Sequence, residues 1–278
     1  MTDVNKAIDE DNSSPDLGNR IVRALEEAGI PPDQWTPELL GPADQIHGGG
    51  LLQTELHTAL TTINAGMNLL DIGCGIGGPA RYFATEFGCR VTGIDLTSEY
   101  IEVAQILTEK MGLSDRVKFD LGDANSLTYK VGEFDMVWAQ NVTMNIKDRA
   151  ALYRNIQRIL VPNGTVAISE LGQGEVGEPY YPLPWARDSS YSFLIPPEEM
   201  RLMLEGAGFR ILEWVDEATR RQEIQSSPTP PKSAITSPLS IEITRGKDYP
   251  ARRANSARSM KEGRLTNVML VAEKIDIC

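Results

Sequence analysis

The chain is poor in the residues that build metal centres and crosslinks. It has three cysteines, Cys74, Cys89 and Cys278, with no ligand-like spacing, and two histidines, His47 and His57. A disulfide scaffold needs paired cysteines and a zinc site needs clustered Cys and His, so neither is expected, and no metal is. Positive charge is also short: 27 Lys and Arg against 39 Asp and Glu leave 27 − 39 = −12. Such a surface repels phosphate backbones and anionic bilayers, which argues against nucleic acid or a membrane as partner. No apolar run approaches the roughly 20 residues that span a bilayer, and Met1–Pro15 lacks the basic and apolar regions of a signal peptide. The expectation is a cytoplasmic protein acting on a small molecule, with a homodimer left open.

What is present is an ordinary globular composition, 41% apolar over 278 residues, enough for a large core. Residues 1–15 read as a disordered tail. Residues 16–64 read as a helical cap: Ile21, Leu25 and Ala28 mark one helix before Gly29 and Pro31–Pro32, and Leu52, Leu56, Ala59, Leu60 and Ile63 mark the face of another over 51–64. From residue 65 to 278 strand and helix signals alternate, with strands at 67–72, 90–95, 116–121, 134–139, 165–171, 209–215 and 265–274. That alternation predicts an α/β fold, a Rossmann-like, mostly parallel sheet covered by helices on both faces. Two stretches are too long for ordinary connections. The first, 172–197, is dense in Gly, Pro and aromatics and reads as a lid; the second, 216–263, is an insertion with a Pro- and Ser-rich loop over 226–238 and a basic helix over 248–262.

The first strand runs into Leu70-Asp71-Ile72-Gly73-Cys74-Gly75-Ile76-Gly77-Gly78. Gly73-x-Gly75-x-x-Gly78 between a strand and a helix says that a ligand approaches the backbone at a helix N-terminus. Charge narrows the ligand. Asp71 would face a bound pyrophosphate, and dinucleotide-binding turns usually carry an apolar residue there; a carboxylate suits a cationic ligand such as S-adenosylmethionine, with its ammonium and sulfonium. Asp95 ends the second strand 24 residues later, near the roughly 20-residue spacing of a ribose-binding acid. Asp123 ends the third, placed to accept an adenine amino group while the Ala124 N–H donates to the ring. Three acids at the carboxyl ends of three successive strands lie on the edge where open α/β sheets bind ligands.

On these motifs the chain resembles the class I S-adenosylmethionine-dependent methyltransferases. Gly77-Gly78-Pro79-Ala80-Arg81-Tyr82, Val137-Trp138-Ala139-Gln140 and Asp44-Gln45-Ile46-His47 are similar to the small-molecule enzymes of the sarcosine/dimethylglycine, tocopherol and sterol methyltransferase type. The resemblance implies a seven-stranded sheet whose antiparallel last strand inserts beside the fifth, methyl transfer to a small acceptor, and S-adenosylhomocysteine as product. It implies a cofactor site of Asp71, Gly73, Cys74, Gly75, Asp95, Leu96, Asp123, Ala124 and Gln140. After Gln140 the chain reads Asn141-Val142-Thr143-Met144-Asn145-Ile146, where the betaine-forming enzymes carry an acidic and aromatic stretch.

His47, in a Gly-flanked segment, is the candidate base, with Gln140 beside it as the second catalytic candidate; His57, mid-helix, reads as a partly exposed surface residue. The acceptor site is expected from Gln45, Asn145, Tyr181, Trp185, Arg187 and Tyr191, the aromatics stacking on an amine and Arg187 holding its carboxylate. Transfer to a hydroxyl or thiol is the alternative. Two other classes fit less well: a nicotinamide-dependent oxidoreductase, opposed by Asp71 and Asp123, and a protein that binds the cofactor without turnover.

Overall fold

The computed structural model describes residues 2–215 and 236–275. The strands fall where alternation placed them: β1 Asn68–Ile72, β2 Arg90–Asp95, β3 Val117–Leu121, β4 Phe134–Gln140, β5 Leu160–Gln173, β6 Phe209–Val215 and β7 Leu265–Lys274. β5 starts five residues before Thr165, its predicted first residue, because the Pro162–Gly164 turn is absorbed into it at a register irregularity against β4. The strands form one sheet of order β3-β2-β1-β4-β5-β7-β6, parallel from β3 to β5, with β7 antiparallel to both β5 and β6. This is the expected α/β sheet with its last strand beside the fifth.

Successive residues of a strand face opposite sides of the sheet. Leu70, Ile72, Val137 and Ala139 enter a core beneath α7 (Arg149–Ile159) and α8 (Pro197–Gly206). Leu69, Met136 and Trp138 enter the opposite core, under α5 (Gly78–Phe87) and α6 (Ser98–Lys110). A third cluster joins α6 to the cap helices α2 (Leu17–Glu27) and α3 (Pro37–Asp44) through Ile21, Leu25, Leu40, Tyr100 and Leu107. No helix among the described residues is long and apolar enough to cross a membrane.

Three sequence expectations are corrected. The supposed tail contains α1, Asp3–Asn12, capped by the Thr2 hydroxyl, which accepts from the Asn5 N–H at 3.1 Å. Its Val4, Ala7 and Ile8 pack against the 172–197 segment, a distant partner that composition does not reveal. The helix predicted over 51–64 is shorter, α4 at Gly50–Thr58, and its inner face carries Gln53, Thr54 and His57 as well as leucines. His57 is therefore fully buried rather than at the surface: it donates from Nε2 to the Leu270 carbonyl at 3.1 Å and stacks on Trp138 with centroids 4.3 Å apart. Burial pushes its pKa down to about 4, so it is neutral near pH 7.

The insertion before β7 supplies α9 (Ile241–Arg245) and α10 (Tyr249–Lys261). Because β7 is antiparallel, it begins at the edge where the parallel strands end, Leu265 pairing with Gln173. β6 ends at the same edge, so the insertion between them lies there, and α10 residues line the cavity at that edge. The predicted Pro- and Ser-rich loop lies mostly outside the described residues, as does Cys278.

Candidate active site

A cavity of about 560 Å³ opens at the carboxyl edge, floored by the ends of β1, β2, β3 and β4. The turn after β1 defines its shape. Gly73 has φ +66°, and a Cβ there would collide with Val142. A Cβ on Gly78 would lie 2.5 Å from the Asp44 carbonyl oxygen. The cap is held this close by Arg81, whose guanidinium donates to Asp44 at 2.8 Å with both groups buried, and to Ala104 O and Thr108 Oγ1. The two sequence motifs around Asp44 and Arg81 are thus halves of one contact, fixing the wall above the glycine turn.

Three carboxylates stand around this floor. Asp71 is buried, and one of its oxygens, Oδ2, has no hydrogen-bond partner. Burial, and then the neighbouring Asp95 charge, push its pKa well above the usual carboxylate range. A cation brought against it would restore the charged form. Asp95 is raised by burial, while the N–H groups of Thr97 and Gly75, each 2.9 Å away, pull it back. Asp123 accepts from the Asn125 N–H at 2.8 Å and from the Asn5 amide of α1 at 2.8 Å. An oxygen accepting one donor can take a second, so Asn5 does not close this acid to a ligand.

Gly73, Cys74, Gly75, Leu96, Ala124 and Gln140 line the same cavity. Gln140 sits in a polar cluster: its Oε1 accepts from Trp138 Nε1 and Thr54 Oγ1, each at 3.2 Å, and its Nε2 faces His47 Nδ1 at 3.4 Å. His47 Nε2 meets Gln45 Oε1 at 3.0 Å. Gln45 lies behind His47, off the cavity surface. With Gln140 Nε2 donating to Nδ1, the Nε2 of the ring is left to donate to Gln45 Oε1.

The acceptor set needs more correction. Asn145 and Trp185 line the cavity, Asn145 donating to the Trp185 and Tyr191 carbonyls at 3.3 and 2.8 Å. Tyr181 and Tyr191 do not line it; they pack into the cluster of Met144, Leu183, Trp185 and Leu265 that anchors the lid. Arg187 is exposed and pairs with Asp11 at 2.6 Å and Asp248 at 3.8 Å. Its charge is taken by carboxylates of α1 and of the turn before α10, which the sequence could not show to be neighbours. Burial alone would raise Asp11, but Arg252, Arg187 and Arg245 outweigh it and hold the carboxyl low.

Several cavity residues went unpredicted: Asn5, Ile8 and Asn12 from α1, Tyr100 from α6, and Arg245, Tyr249, Arg253, Ser256, Ala257 and Met260 from α9 and α10. The spacing 249, 253, 256, 257, 260 is one face of a helix and was available as a signal. Nothing in the sequence alone says which surface that face covers.

Residues 63–183 match the family model described as a methyltransferase domain. Over these residues the chain is similar to methyltransferase domains, whose cofactor is S-adenosylmethionine. Its motif residues and the orphaned Asp71 oxygen fit that cofactor: an ammonium donor for Asp71, ribose hydroxyls for Asp95, and glycines where the backbone must be approached. Methyltransferase GfsG of Streptomyces halstedii is 33% identical over 157 residues, 56% of this chain and 55% of the relative. The chain spans about half or less of the length of the curated relatives it matches. Among solved structures, the [4+2]-cyclase SpnF is 27% identical with a TM-score of 0.59, covering 80% of each chain. Phosphoethanolamine N-methyltransferase 2 of Haemonchus contortus, solved with S-adenosyl-L-methionine, is 22% identical with a TM-score of 0.68, covering 99% of this chain and 61% of that one.

Proposed function

We propose that the protein transfers a methyl group from S-adenosylmethionine to a small-molecule acceptor, an amine nitrogen first and a hydroxyl or thiol second. The observation that carries the reading is the ring of Asp71, Asp95 and Asp123 around one glycine-floored cavity. Asp71 would hold the ammonium, Asp95 the ribose hydroxyls, and Asp123 with the Ala124 N–H the adenine. When bound, the cofactor supplies an already activated, electrophilic methyl group.

The protein's own part is then alignment and exclusion of water. Trp185, Met144 and Leu171 line the cavity together with Gln140, and Asn145 ties the lid to the end of β4. His47 is oriented by Gln45 and Gln140. Taking a proton at Nδ1 would require Gln140 to turn its amide. This favours an acceptor entering as a free amine over a hydroxyl that must be deprotonated in place. Trp185 and Tyr249 are aromatic residues of the cavity lining that could stabilise the nitrogen as it gains charge.

The test is S-adenosylhomocysteine release on incubation with S-adenosylmethionine and a panel of secondary amines, including sarcosine and dimethylglycine, alongside phenols and thiols. Turnover of amines, rising with pH as more free base is present, is expected. Turnover confined to phenols or thiols would replace the amine by the second acceptor class. The likeness to the [4+2]-cyclase SpnF makes turnover, rather than binding alone, the deciding readout. Tight S-adenosylhomocysteine binding with no release on any acceptor would assign the fold to a non-methylating role.

A further inference from the structure

The cavity is divided by charge. Its carboxylates, Asp44, Asp71, Asp95 and Asp123, lie along the sheet edge and the adjoining cap, while its arginines, Arg245 and Arg253, come from α9 and α10. The apolar side chains of Met144, Leu171, Trp185 and Met260 line the same cavity. In a chain of net charge −12, two arginines on the wall of one cavity call for a reason.

The other arginines of α10 with assigned contacts are committed elsewhere. Arg252 is buried and pairs through both Nη atoms with Asp11 at 2.8 and 2.9 Å, and with Asp248 at 2.9 Å. Arg258 pairs with Glu262 at 2.9 Å and stacks on Tyr180. Asn255 and Ser259 on the same flank bond the lid at Pro182 O and the Tyr180 N–H. Arg253 is one turn from Tyr249 on the cavity face, with Ser256 three residues further on, and it makes no hydrogen bond or ion pair with any described residue. Behind it, Arg245 is spent on neutral acceptors only: Asn12 Oδ1 at 2.7 Å, Tyr100 Oη at 3.0 Å and the Pro184 carbonyl. No carboxylate lies within ion-pair distance of Arg245 among the described residues; Asp11, the acid whose charge it feels, is already paired with Arg187 and Arg252, and Arg245 adds positive charge to this end of the cavity.

We infer that the acceptor carries an anionic group, a carboxylate or phosphate monoester, separated by a short apolar span from the atom that is methylated, and that Arg253 recognises it. A guanidinium offers paired donors to either anion. The Ser256 hydroxyl can add one bond, and the apolar lining accommodates the span. This rests on the methyltransferase reading of the cavity and deepens it by naming the acceptor class. It also moves the anion site from Arg187, which Asp11 and Asp248 occupy, to the roof.

The experiment uses the full chain saturated with S-adenosylhomocysteine and three matched probes that share a secondary amine: 4-(methylamino)butanoate, 3-(methylamino)propyl phosphate and N-methylbutylamine, which lacks the anionic group. Titration calorimetry is expected to give binding about 10- to 100-fold tighter for a probe with an anionic group than for the one without, the reach of a charge-assisted contact. The preferred anion tells carboxylate from phosphate. Arg253→Gln should abolish the preference and leave S-adenosylhomocysteine affinity unchanged; Arg258→Gln, on the outer flank, should change neither. Equal binding of all three probes, no probe binding at all, or a preference surviving in Arg253→Gln would overturn the inference. So would Arg253→Gln weakening S-adenosylhomocysteine itself, which would make Arg253 a contact of the cofactor's carboxylate. Failure of wild-type protein to bind S-adenosylhomocysteine would instead overturn the underlying methyltransferase reading.

Discussion

The floor and the roof of the cavity are built in different ways. The floor comes from strand ends and the turn after β1, within Asp71–Asp123 and Gln140, and its backbone is fixed by buried contacts such as Arg81–Asp44. The roof joins α1, the 172–197 lid and α10, which lie far apart in sequence. It is tied largely by one carboxylate, Asp11, reaching Arg187, Arg252 and the Tyr191 hydroxyl. α1 itself has no fully buried residue. A ligand site can therefore pair a rigid floor with a roof whose closure rests on a few charged contacts.

The largest expected effect breaks the floor. Arg81→Leu leaves Asp44 buried without its partner, and we expect a loss of about 3–5 kcal/mol in global stability by denaturant unfolding. A loss below ~1 kcal/mol would mean the cap is not fixed by this pair.

Next comes Asp95→Ala. Removing the acid set for the ribose should weaken S-adenosylhomocysteine binding by about 2–4 kcal/mol, roughly 30- to 1000-fold, in titration calorimetry. An unchanged dissociation constant would place the ribose elsewhere.

The third concerns the sheet face behind the floor. His57 is held neutral with its pKa lowered to about 4, against about 6.5 unfolded. The unfolded chain binds the proton more readily, so stability is present above the unfolded value and is lost as pH falls towards the folded one. At pH 5 this amounts to about 2 kcal/mol. His57→Leu should reduce the difference in denaturant stability between pH 7.5 and pH 5 by that amount; an identical pH dependence in both proteins would refute it.

The smallest effect tests the roof. Asp11→Ala should free α1 and speed amide exchange over residues 3–12. Global stability should change by only about 1 kcal/mol, because Arg252 keeps Asp248 and gains access to water. A cooperative global loss as large as that of Arg81→Leu would erase the distinction between floor and roof.

The same division governs what could be read in advance. Strand positions, the glycine turn and the three strand-end acids were legible because each depends on neighbours within a few residues: period-two burial, a turn that excludes a Cβ, a carboxylate at the end of a strand. His57 was misread because the inner face of α4 is partly polar, matched to the Leu270 carbonyl and Trp138 rather than to a hydrophobic rule. Tyr181, Tyr191 and Arg187 were placed at the acceptor because their types suit it; their partners, Asp11 above all, lie up to 180 residues away.

By itself, then, the sequence determined the alternating strands and helices of an α/β fold, and the acidic, glycine-floored edge that suits a cationic nucleoside ligand. These are encoded in local periodicity and short motifs. The tertiary structure alone decided that residues 3–12 fold as a helix over that edge, that the lid's aromatics mostly pack inward, and that α10 lays Arg253 across the cavity. The reason is topological: β6 ends and β7 begins at the edge where the other parallel strands end, so the long insertion between them lies at the edge that carries the ligand site.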